Sequence, residues 1–177
     1  MKLKATIYCL MFAAMGYGQT YEQLMNYSVY YNKDIDTFGD FIKIEPSVNL
    51  SNFGIQQIVY ELDNHNIGIE EHRSNNGLIG EIYVFQTNGD IINASSQWDR
   101  CFRLLNNDQS LKFVKGIFED NNKKENNLTY DEFLLLLNSK TNNPNISYGV
   151  RYTKNNAYYS LFVIKGKLVF TVDDKNF

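Results

Sequence analysis

The stretch ISYGVRYTKNNAYYSLFVIKGKLVFTV, residues 146–172, decides the fold class. Ile146, Tyr148, Val150 and Tyr152 alternate without a break with Ser147, Gly149, Arg151 and Thr153, which is the period of a half-buried antiparallel strand. Asn155-Asn156 turns this strand into residues 157–164, and Lys165-Gly166 turns those into residues 167–172. The C-terminal third therefore reads as a three-stranded meander with one apolar face, and that face requires a covering layer.

Upstream of the meander, Thr129-Tyr130-Asp131-Glu132 has the form of a capping box, with Leu128 and Phe133 at the positions of a hydrophobic staple. Five apolar residues, 133–137, follow and predict a helix buried on most sides. Two further helices are expected before it. One starts at Ser96-Gln97-Trp98-Asp99 and carries the stripe Trp98, Cys101, Phe102 and Leu105; the other carries Leu111, Val114, Ile117 and Phe118. Residues 67–69 and 78–86 read as strands, and Asn88-Gly89 predicts a hairpin returning at Ile91 and Ile92.

At the N-terminal side, Thr20-Tyr21-Glu22-Gln23 caps a helix running to about Tyr31, with Leu24, Tyr27 and Tyr31 on one face. Residues 38–45 alternate weakly up to Pro46, and Ser51 precedes Ile55, Ile58, Val59 and Leu62 at helical spacing. Together these predict an α+β domain in the order ααββ(β)αααβββ, a mostly antiparallel sheet of about five strands with helices on one face. Over residues 67–172 this order of elements resembles that of PAS-like sensor domains. The resemblance rests on element order and implies no site residue.

Residues 1–18 read as an address rather than as structure. Lys2 and Lys4 precede an apolar run, residues 5–15, and Gly16-Tyr17-Gly18 supplies a small-x-small end, the parts of a secretory signal peptide. The run is shorter than the roughly 20 apolar residues a membrane span needs. Cleavage after Gly18 is expected, leaving residues 19–177 as one globular domain, exported to the periplasm or the medium. It removes Lys2 and Lys4 from the 17 basic residues and leaves 15 against 20 acidic ones. It also removes Cys9, so Cys101 is left without an intrachain partner and the domain must be held by its core.

With 44% hydrophobic residues, 21% charged residues and no basic run, the chain is too apolar for disorder and too acidic to suggest a nucleic-acid partner. Its 23 asparagines include six Asn-Asn pairs, all placed between predicted elements, where Asn tolerates left-handed backbone. Asn-x-Ser/Thr occurs at Asn26, Asn49, Asn93, Asn127 and Asn145 and matters only where exported proteins are glycosylated.

Four features could carry chemistry. His65, Glu70, Glu71 and His72 gather both histidines within eight residues, but a strand starting at Ile67 would turn Glu71 away from Glu70 and His72, so a solvated edge is expected. Residues 121–132 echo a calcium loop, yet Lys123 stands at a ligand position and Asn126 where glycine belongs. Cys101, among Trp98, Phe102 and Leu105, reads as core rather than nucleophile. Of the tyrosines in the last sheet, Tyr148 and Tyr152 read as core, whereas Tyr158 and Tyr159 point to opposite faces.

No hydrolase, nucleotide-loop or metal motif is present, so no catalytic residue, metal ligand or cofactor is assigned. The expected function is an exported, non-catalytic binding or interaction module for a protein or small molecule of the cell envelope. The alternatives are an exported enzyme with scattered catalytic residues, with His72 and Glu70 or Glu71 as first candidates, and a PAS-like small-ligand sensor.

Overall fold

The computed structural model describes residues 21–52, 54–72, 76–87, 90–120, 124–138 and 145–175. Among these residues four helices and nine strands follow in the order α1 (Tyr21–Ser28), α2 (Ile35–Ile42), β1 (Val48–Asn52), β2 (Ile55–Glu61), β3 (His65–Glu71), β4 (Ile79–Gln86), α3 (Ile91–Asn107), β5 (Lys112–Glu119), β6 (Lys124–Leu128), α4 (Tyr130–Leu137), β7 (Ser147–Lys154), β8 (Ala157–Ile164) and β9 (Lys167–Asp173). All strands join one antiparallel sheet ordered β1-β2-β3-β4-β9-β8-β7-β5-β6. The α+β class holds, and the sheet dominates it.

The meander behaves as its alternation predicts. Asn155 and Asn156 have φ of 52° and 64°, and Lys165 and Gly166 of 48° and 73°, so both hairpins turn through two left-handed residues, the geometry that matches strand twist. Register then stacks the inward residues into ladders across the sheet. One runs Tyr60, Ile67, Val84, Phe170, Leu161, Val150; its neighbour runs Ile58, Ile69, Ile82, Val172, Tyr159, Tyr152. All of these but Tyr159, which packs against the core from its margin, are buried.

All four helices cover this inner face. Trp98 of α3 is fully buried, stacks on Phe102 at 4.8 Å, meets Tyr148 edge-on at 5.0 Å, and donates its indole N–H to the Leu161 carbonyl at 3.0 Å. That bond satisfies the one polar group of the largest core side chain. Beside it Gln86 on β4 receives the Leu168 N–H and donates to Gln97 of α3. α2 sets Phe38 against Tyr60, α1 sets Tyr27 against His65, and α4 sets Phe133 against Gly116.

Several elements differ from the sequence reading, each for a physical reason. Residues 38–45 are not a strand: Asp34 caps α2 by accepting the Asp36 N–H at 2.9 Å, and Ile35, Phe38 and Ile42 share a helix face. The helix expected after Ser51 is instead the end of β1 followed by β2, where the β-branched Ile58 and Val59 and then Tyr60 alternate across a pleat. The helix expected over 111–118 is likewise the strand β5, Lys112–Glu119, with Phe118 facing in and bulges at Val114 against β7 and at Ile117 against β6. Asn88-Gly89 lies outside the described residues, and no return strand follows it. Asp90 accepts the Ile92 N–H and starts α3 six residues before the expected cap at Ser96.

The capping box at Thr129 and Glu132 is formed, but only Phe133 of α4 is fully buried and Leu135 is exposed. The helix lies over the β5–β6 end of the sheet, where one face suffices. α1 ends at Ser28, short of Tyr31, and its Thr20 cap lies outside the described residues, as do residues 1–18. Asn106-Asn107 closes α3 and Asn126-Asn127 lies within β6, so these two pairs fall inside elements rather than between them. Among the described residues the sheet has nine strands rather than about five, and the elements follow the order ααββββαββαβββ rather than ααββ(β)αααβββ, which lends the PAS-like resemblance no support.

Candidate functional site

The side of the sheet facing away from the helices carries two contrasting rows. The apolar row runs Phe85, Val169, Phe162, Gly149, Ile117 across β4, β9, β8, β7 and β5. The polar row runs Gln57, Glu70, Glu81, Asp173, Tyr158 from β2 to β8. Between them lie Tyr83, Thr171, Ser160 and Arg151.

The polar row ends in a cavity of about 350 Å³ lined by Glu70, Glu71, His72, Gly80, Glu81, Asp174 and Lys175. A bulge between Glu70 and Glu71 lets both carboxylates approach it, against the strict alternation the sequence suggests. Gly80 admits the histidine: a Cβ there would come within 2.7 Å of His72 Nδ1 and 2.8 Å of its Cα.

Each acidic side chain of the cavity already has a partner. Glu70 accepts from Gln57 Nε2 at 2.8 Å, and Glu71 accepts the Gly77 N–H at 2.6 Å and the Gln56 N–H at 3.2 Å. Glu81 pairs with Lys175, and Asp174 with His72 Nδ1 at 3.5 Å. Burial works against the Lys175 charge, but its bond to Glu81 and the nearby Glu70 and Asp173 outweigh that and hold the ammonium above the ordinary lysine value. The Tyr31 ring meets His72 edge-on at 5.9 Å. Burial, aided by Asp174 and Asp173, pushes its phenol up to about 12. The arrangement ties residues 173–175 to β3 and β4 and leaves the cavity negative. Among the described residues, no group of three or more His, Cys, Asp or Glu side chains converges as a metal would need.

The sequence cluster therefore divides. Glu70, Glu71 and His72 meet at the cavity, whereas His65 stands on the opposite face and is only 1% exposed, correcting the solvated edge expected for it. β3 lies between two other strands, so its inward positions are core. His65 Nε2 lies 3.1 Å from the Tyr27 hydroxyl and Nδ1 2.6 Å from Asn64 Oδ1. Gln23 donates to Tyr27, so Tyr27 donates to Nε2 and Nδ1–H donates to Asn64, a neutral imidazole. Burial lowers its pKa.

Cys101 is buried on α3, and burial pushes its thiol up to about 11, which keeps it out of the nucleophilic thiolate form. The calcium-loop echo dissolves because Lys124–Leu128 is a strand paired with β5; residues 121–123 lie outside the described residues. Sequence reasoning missed the buried ion pair of Arg151 and Asp173, in which Arg151 also donates to the Lys175 carbonyl and lies 4.5 Å over the Tyr158 ring. Its one signal is Arg151 itself, the single long cation within the alternation of 146–153. Burial holds the Asp173 carboxyl above its ordinary value although Arg151 draws it down.

No family model, curated protein or solved structure matches the chain. Among the described residues no helix is long and apolar enough to cross a membrane.

Proposed function

We propose that the chain is an exported, non-catalytic binding module that engages its partner through the helix-free face of the sheet. The observation that carries this reading is the cross-strand row Phe85, Val169, Phe162 and Ile117. These apolar side chains are only half-buried, take no part in the core, and have no described helix over them. Flat faces with aromatic residues at their centre and charged groups at the rim have the composition of protein-recognition surfaces. Tyr83 stacks on Phe85 at 6.1 Å, and the Glu81–Lys175 and His72–Asp174 pairs form the rim. Export rests on residues 1–18 and their expected removal.

The alternative, a small-ligand binder or enzyme working through His72 and Glu70 or Glu71, draws on the cavity itself. Its carboxylates favour a cationic ligand.

Capture from native envelope extract separates the two. The module reading expects one stoichiometric partner, retained by His72→Ala and lost with Phe85→Ser. A partner that ignores Phe85→Ser but is lost with His72→Ala moves the site to the cavity, and no partner at all overturns the module reading.

A further inference from the structure

We propose that the free edge of β1 is a self-association surface, through which two copies of the chain pair β1 against β1 and join their sheets. Among the described residues β1 ends the sheet and pairs with β2 alone, and all five of its residues are exposed. Its outer edge offers unpaired backbone donors and acceptors, as every sheet edge does, and such edges are ordinarily blunted by charge, proline or a bulge. β1 has none of these: Val48-Asn49-Leu50-Ser51-Asn52 carries no charge and no proline, and its pairing with β2 is unbroken.

The opposite edge makes the contrast. β6 carries Lys124 and Glu125, pairs with β5 across a bulge, and lies under α4. One edge of this sheet is protected and the other is open.

The sequence of β1 also selects its occupant. An antiparallel two-fold centred on Leu50 places Leu50 against its own copy, Val48 against Asn52, and Asn49 against Ser51. No like charges meet, and the polar pair Asn49–Ser51 falls on the face away from Leu50. On Leu50's face, Val48 and Leu50 are 37% and 51% exposed, beside Val59 of β2. Phe41 and Ile44, also exposed, lie in the chain that leads into β1. A second copy paired along β1 completes the edge and covers Val48 and Leu50 on the helix-free face.

Sedimentation velocity on the purified protein tests this directly. The wild type is expected at the mass of two chains and Leu50→Lys, whose charge meets its own copy across the two-fold, at the mass of one, with its thermal midpoint little changed. A second pair of variants serves if Leu50→Lys fails to fold. With Cys101 buried, Leu50→Cys is expected to cross-link to its copy under a mild oxidant, because paired strands hold opposed Cα atoms within disulfide reach. Asn127→Cys on the protected edge is expected to remain single. A wild type that stays monomeric to millimolar concentration, a dimer untouched by Leu50→Lys, or cross-linking at Asn127→Cys in preference to Leu50→Cys overturns the proposal.

Discussion

His65 shows how a residue that reads as a ligand becomes a structural group. It is held neutral between Tyr27 and Asn64, with its pKa below the ordinary 6.5. The unfolded chain then binds a proton that the folded chain refuses, so stability is full above pH 6.5 and declines as pH falls through that value. Urea titrations between pH 7.5 and 5 are expected to show this slope, and His65→Gln, which keeps a hydrogen-bonding side chain without titrating there, to flatten it. Arg151 poses the opposite case. Arg151→Met leaves Asp173 buried and uncompensated and is expected to cost about 3–5 kcal/mol in denaturant unfolding. Adding Asp173→Leu should recover most of that loss, because the charge left stranded is then gone.

At the scale of elements, α4 and β5 are joined by a close fit that can be measured. Phe133 is fully buried over Gly116, where a Cβ would come within 2.5 Å of the Phe133 Cβ and ring. Gly116→Ala is therefore expected to destabilise by about 1–3 kcal/mol in thermal or urea unfolding, since the phenylalanine has no free space to enter. Thr129→Ala removes the cap of the same helix and should cost about 1 kcal/mol by the same measurement. Elements were legible in the sequence where two signals agreed. The meander had both alternation and two-residue turns, and α4 had a full capping box, so each was found with the right type. Where apolar spacing stood alone it misled: Ile55, Ile58, Val59 and Leu62 fit a helix by position, while β-branching and pairing with β1 and β3 made Ile55–Glu61 a strand that stops short of Leu62. Of the candidate site, Glu70, Glu71 and His72 were visible as a cluster. Asp174 and Lys175 were not, because they arrive from the far end of the chain through the pairing of β4 with β9.

At the scale of the molecule, the sheet is two halves closed by one hairpin. β1–β4 form one half and β7, β5 and β6 the other, and β8 and β9 lie between them. A chain ending at residue 154 leaves β4 and β7 each with a bare edge and deprives α3 of its packing against β8 and β9, including the Leu161 carbonyl that accepts the Trp98 N–H. Circular dichroism of that truncation is expected to show no cooperative thermal transition, whereas the full chain melts as one unit.

That central hairpin also fixes an order of events during synthesis. Phe85 must wait for Val169, so the first four strands leave the ribosome long before the strand that shields their inner edge exists. The continuous sheet is complete only once β9 has emerged to join β4 to the strands beyond it.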